Sequence, residues 1–166
     1  TAGENNLSLN GASMTSSFLF TTVGSTSITT PTASLSSAFT QTTAGTVTSA
    51  TISYNVFVDT GTNSYGTGNK YFVTGLSGPS PTLTLNEGTT YRFVQSDSSN
   101  SGHPFRFSTT ANGTHGGGSE YTTGVSTNGT PGSAGAYTEI TVAVGAPTLY
   151  YYCTNHSGMG GQANTP

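Results

Sequence analysis

No stretch of ten or more residues in this chain carries the apolar spacing of an amphipathic helix. Its apolar residues fall instead in short bursts between clusters of Gly, Asn, Ser and Thr. The clearest burst is 46–58, where Ile52, Tyr54, Val56 and Val58 alternate with Ser53, Asn55 and Phe57. The same reading predicts strands at 70–76, 82–85, 89–95, 103–108, 137–144 and 148–153, with a hairpin-like turn at Asn86-Glu87-Gly88. Short strands at this spacing imply an all-β fold, a sandwich or a barrel. Only 31% of the residues are hydrophobic, which on its own would suit a disordered chain, but the net charge of -3 lacks the repulsion that keeps such chains open. The polar residues are mostly Thr, Ser, Gly and Asn, which suit strands and tight links.

Residues 1–68 differ from 69–166. The first segment is Ser/Thr-rich, has no Lys or Arg, and carries only Glu4 and Asp59 as charges. It reads either as low-complexity disorder or as short β-strands, and bursts such as Phe18-Leu19-Phe20 favour strands. With so little apolar material it is expected to pack on the second segment, on another copy of itself, or on a partner. The turn-rich run Thr60–Asn69 is the expected domain boundary. Residues 109–136 read as a long Gly-rich loop in which His115 and Glu120 are open to two readings, a second metal site or solvated side chains. The first residue, Thr1, is compatible with removal of an initiator Met or with cleavage of a leader.

Several functions are excluded early. Three basic residues, Lys70, Arg92 and Arg106, cannot make a phosphate-binding stripe, so nucleic acid is not an expected direct partner. No run reaches the length of a membrane span. A single cysteine, Cys153, forms no intrachain disulfide. The chain has three histidines in all, too few for a centre with many imidazole ligands, and no catalytic triad or carboxylate pair stands out. No enzymatic activity is expected.

The chemistry concentrates at the end of the chain, in Leu149-Tyr150-Tyr151-Tyr152-Cys153-Thr154-Asn155-His156-Ser157-Gly158-Met159. A thiolate, an imidazole and a thioether follow one another where a strand enters a Gly-rich loop, and two His with one Cys and a weak axial Met make a blue-copper donor set. His103, in Gly102-His103-Pro104-Phe105-Arg106-Phe107, is the candidate second imidazole. Alternation puts His103, Phe105 and Phe107 on one strand face, and Leu149, Tyr151 and Cys153 on one face of another. If the Phe and Leu side chains fill the core, His103 and Cys153 also point inward, at strand ends. The ordinary alternatives are a Cys packed as a small hydrophobe and a Met that fills space. The Tyr150–Tyr152 run reads as strand packing or as a route for electrons. The Asn-x-Ser/Thr sequons at Asn6, Asn112, Asn128 and Asn155 are expected by chance in so Asn- and Thr-rich a chain.

The segment 69–166 resembles the cupredoxins, such as plastocyanin, pseudoazurin and amicyanin: an early His, an aromatic strand ending in Tyr-Cys, then Cys-x-x-His and a Met. The resemblance implies a Greek-key β-sandwich and one type-1-like copper held by His103, Cys153, His156 and Met159. The Cys-x-x-His-x-x-Met spacing resembles the short ligand loop of amicyanin more than the longer one of plastocyanin. Asn155 stands where many members have Pro, and Pro104 where Asn commonly braces the ligand loop. Asn155, Pro104 and Tyr152 are therefore the candidate residues around the ligands.

Two functions follow as expectations. One is a small exported blue-copper electron-transfer protein, periplasmic or extracellular, with a redox partner. The other is a structural virion-surface protein, a capsid decoration or a fibre/tail component. The run from Tyr91-Arg92-Phe93 to Met159-Gly160-Gly161 is similar to cupredoxin-like modules in virion proteins of marine tailed phages. That resemblance implies a homo-oligomer seated on a capsid or tail protein, with residues 1–68 as anchor. It is the preferred expectation, because an electron carrier explains neither the Ser/Thr-rich segment nor the low charge.

Overall fold

The computed structural model describes residues 50–166; strands and self-association expected before Ala50 lie outside the described residues. Nine strands follow in chain order: β1 (Ile52–Asn63), β2 (Gly66–Val73), β3 (Leu83–Thr84), β4 (Thr90–Val94), β5 (Phe105–Ser108), β6 (Val125–Asn128), β7 (Tyr137–Thr141), β8 (Leu149–Cys153) and β9 (Gly161–Asn164). Short 3-10 turns occupy Ser98–Asn100 and Gly113–Gly116. The strands form a five-stranded sheet in the order β2-β1-β4-β7-β6 and a four-stranded sheet in the order β3-β9-β8-β5. Both are mixed: β1 runs parallel to β4 and β3 parallel to β9, while the other pairs are antiparallel. The described residues are thus all-β, in a sandwich-like arrangement.

Period-two alternation explains which side chains fill the core. From the five-stranded sheet come Val56, Tyr71, Tyr91, Phe93 and Ile140; from the other come Leu83, Phe105, Phe107, Leu149 and Tyr151. Phe105 is the hinge of this packing. Its ring stacks on Phe93 at 4.8 Å and on Tyr151 at 4.9 Å, with Tyr71 tilted against it at 5.1 Å. Offset aromatic stacking of this kind contributes roughly 0.5–1.5 kcal/mol per pair beyond burial. It also pins the strand that leads out of His103.

Some expectations need correction. The boundary at 68/69 cuts through the β1–β2 hairpin, whose ladder pairs Asn63 with Gly66 and Thr60 with Asn69. Residues 52–68 therefore belong with 69–166 in one compact unit. The turn-like Gly61 is a ladder residue used for close approach: a Cβ there would lie 2.6 Å from the Pro79 side chain. The Asn86–Gly88 turn exists, with Thr89 N–H donating to the Asn86 carbonyl, but it carries the chain from one sheet to the other rather than closing a hairpin. The segment 109–136 is not one loop, since it holds a 3-10 turn and β6. Among the described residues no helix is long and apolar enough to cross a membrane.

Candidate metal centre

His103 sits just before β5 in a segment held on every side. Asp97 caps the first 3-10 turn by accepting from the Ser99 N–H at 2.9 Å, and Asn100 donates its side-chain amide to the Val56 carbonyl at 2.7 Å. The His103 N–H then donates to the Asn100 carbonyl at 2.8 Å. The His103 carbonyl accepts twice, from the Tyr71 hydroxyl at 2.9 Å and from Gln95 Nε2 at 2.8 Å, while Gln95 Oε1 accepts from the Phe105 N–H at 3.1 Å. Tyr71, Gln95 and Asn100 are fully buried. Burial first, then the neighbouring Cys153, holds the Tyr71 hydroxyl well above its ordinary pKa, so it remains a donor.

Cys153 closes β8. Register pairs it with Phe105, which places it beside His103 on the inner face, as strand alternation predicts. Beyond it the chain turns back through Thr154–Gly158 to Met159. The Thr154 N–H donates to the Pro104 carbonyl at 3.3 Å, and Asn155 Nδ2 to the Gly102 carbonyl at 2.9 Å. Asn155 and the Pro104 backbone thus tie the segment of His103 to the segment that follows Cys153. Met159 is buried in the hydrophobic core cluster that also holds Cys153, its carbonyl accepting from the Tyr71 N–H at 3.0 Å and the Ser80 hydroxyl at 2.9 Å.

The donor atoms converge. Cys153 Sγ lies 3.7 Å from His103 Nδ1 and 3.6 Å from His156 Nδ1, and the group has all its ligand atoms within 4.8 Å of one another. An ion about 2.3 Å from a thiolate and about 2.0 Å from each imidazole, at tetrahedral to trigonal angles, spans S···N separations of about 3.5–3.8 Å. The observed spacing fits. His103 and Cys153 are buried, whereas His156 is exposed and forms the open side. Burial, then the charge of His156, holds the His103 imidazole below its ordinary pKa, which keeps it in the neutral form that binds metals.

Of the remaining candidates, Tyr152 is fully buried but faces away from the ligands, its ring pressed on Gly113, where a Cβ would meet ring carbons at 2.4 Å. Tyr151 is in the core, its hydroxyl donating to the Pro81 carbonyl at 2.7 Å. His115 and Glu120 do not form a second centre: Glu120 pairs with Arg106 at 3.3 Å, and His115 Nε2 reaches the Cys153 carbonyl at 3.0 Å. Among the described residues His103, Cys153 and His156 are the group able to hold a metal ion. Sequence reasoning missed Gln95, whose signal is a polar residue on the apolar face that Tyr91 and Phe93 define, and it missed the bracing by Tyr71 and Asn100. No family model, curated protein or solved structure matches the chain.

Proposed function

We propose that the chain is a structural protein of a virion surface, a decoration or fibre/tail component, whose cupredoxin-like module binds one copper ion. The observation that carries the metal reading is the convergence of one sulfur and two imidazole nitrogens at metal-ligand spacing. Sulfur with imidazole favours copper over hard cations, and buried Met159 is the proposed axial donor. When bound, copper supplies one-electron chemistry. The chain's own part is to hold neutral His103 and Cys153 in a dry, braced pocket and to leave His156 at the rim.

The surface supports the structural context over a docking electron carrier. Lys70 is buried, Arg92 pairs with Glu139 at 2.8 Å, and Arg106 pairs with Glu120, so no cluster of free basic side chains is left to steer a redox partner. On this reading the protein self-associates and contacts a capsid or tail protein through its Ser/Thr-rich segment. The second reading, an exported electron-transfer protein, is favoured by one feature, the exposed His156 at the mouth of the site.

The test has two arms. Copper(II) added to the protein should give an intense thiolate-to-copper visible band that Cys153→Ser abolishes; a protein that binds no copper overturns the metal reading, and a bound but colourless copper overturns the blue-copper reading. Native protein should sediment with virus particles, and Cys153→Ser should assemble equally well. A monomer that never associates with particles and cycles reversibly at an electrode sinks the structural reading and favours the carrier.

A further inference from the structure

The segment 112–116 grips the ligand loop at both of its ends, through side chains that no metal-ligand role uses. At the cysteine end, His115 Nε2 lies 3.0 Å from the Cys153 carbonyl. A carbonyl only accepts, so Nε2 carries the hydrogen. At the far end, the Asn112 side chain uses both of its polar atoms. Its Nδ2 donates to the Ser157 hydroxyl at 2.8 Å, and its Oδ1 accepts from the Gly158 N–H at 2.7 Å.

The gripping segment is itself rigidly seated. Asn112 adopts a left-handed backbone at φ 62°, and Gly113 follows at φ 56° under the ring of Tyr152. Gly118 N–H donates back to the Gly113 carbonyl at 3.0 Å and closes the turn. Tyr152 precedes Cys153 on β8, so the platform that holds the loop is built on the strand that delivers the sulfur.

We infer that His115 and Asn112 are positioning residues that clamp the Cys153–Gly158 loop and thereby set where His156 Nδ1 stands relative to the sulfur. His156 is exposed and no hydrogen bond other than its contact with Cys153 holds its ring among the described residues. Its position therefore depends on the loop backbone, which Asn155, His115 and Asn112 tie down. The consequence for metal binding rests on the reading of the cluster as a metal centre; the clamp itself can be measured without metal.

The experiment uses Co(II), which does not oxidise thiols, as the probe, and iodoacetamide alkylation of Cys153 in metal-free protein as the independent readout. His115→Leu and Asn112→Gly remove the clamp, and glycine tolerates the left-handed backbone at 112. His115→Gln returns an amide donor near the position of Nε2. The expected result is Co(II) affinity lowered roughly tenfold or more in the first two variants. Their sulfur-to-cobalt band should shift, and Cys153 should alkylate about threefold or more faster. His115→Gln should restore all three to near wild type, which separates a lost donor from general destabilisation. Wild-type protein that binds no Co(II) while the variants still alkylate faster overturns the metal reading and upholds the clamp. Variants that alkylate and bind Co(II) as wild type does, with an unshifted band, overturn the clamp. Equal damage in His115→Gln and His115→Leu does so as well.

Discussion

Replacing Gln95 with Met keeps the length and burial of the side chain and deletes its hydrogen bonds. The Phe105 N–H then has no partner in a fully buried setting, which costs about 1–3 kcal/mol. The His103 carbonyl loses the Gln95 donor but retains the Tyr71 hydroxyl, so this second loss is the smaller one, about 1 kcal/mol. Buried Asn100 Oδ1 also loses its 3.3 Å contact with Gln95 Nε2, so the sum is at least about 2–4 kcal/mol, a large share of the roughly 5–15 kcal/mol that stabilises a typical domain. Urea unfolding of the metal-free protein measures it. Tyr71→Phe alone should cost about 1 kcal/mol, because Gln95 still serves the carbonyl. The double variant orphans that carbonyl, so its cost should exceed the sum of the single costs by about 1 kcal/mol. A Gln95→Met variant within about 0.5 kcal/mol of wild type, or a strictly additive cycle, would refute the claim that this pair braces the metal-ligand segment.

Other outcomes follow from the same geometry. Gly113→Ala drives a Cβ into the Tyr152 ring at a left-handed φ, and calorimetry should show the thermal midpoint falling by roughly 5–15 °C. Asn155→Ala, at an exposed position, should change urea stability by less than about 1 kcal/mol yet weaken metal binding roughly tenfold, since it unties the two ligand-bearing segments. Because the His103 pKa is lowered in the folded chain, the unfolded chain takes up that proton first. The metal-free protein should therefore be stable above about pH 6.5 and lose stability as pH falls from there toward the lowered value; His103→Gln should flatten that slope in urea titrations across pH.

Alternation alone made much of the fold legible. The inward positions of Phe105, Phe107, Leu149, Tyr151 and Cys153 were readable because half-buried strands repeat every two residues. β9 was not, since Gly161-Gln162-Ala163-Asn164 buries only Ala163 and exists because β8 and β3 offer it edges on both sides. The run 60–69 misled for a related reason. Its Gly and Asn residues look like a linker, yet Gly61 serves a close approach to Pro79 and Asn63 donates to the Ser80 hydroxyl and the Gly158 carbonyl.

For the site, the sequence by itself determined the donor types and their local order: a sulfur, then an imidazole three residues on, then a thioether, with His103 at the mouth of an apolar strand face. Those are chemical facts of the side chains and of short-range geometry. Only the tertiary structure decided that His103 Nδ1 meets the sulfur at 3.7 Å, because that depends on the β5–β8 register across fifty residues of chain. It also turned His115 from a possible ligand into a brace on the Cys153 carbonyl. A hydrogen bond between distant segments leaves no period in the sequence, and packing alone brings its two ends together.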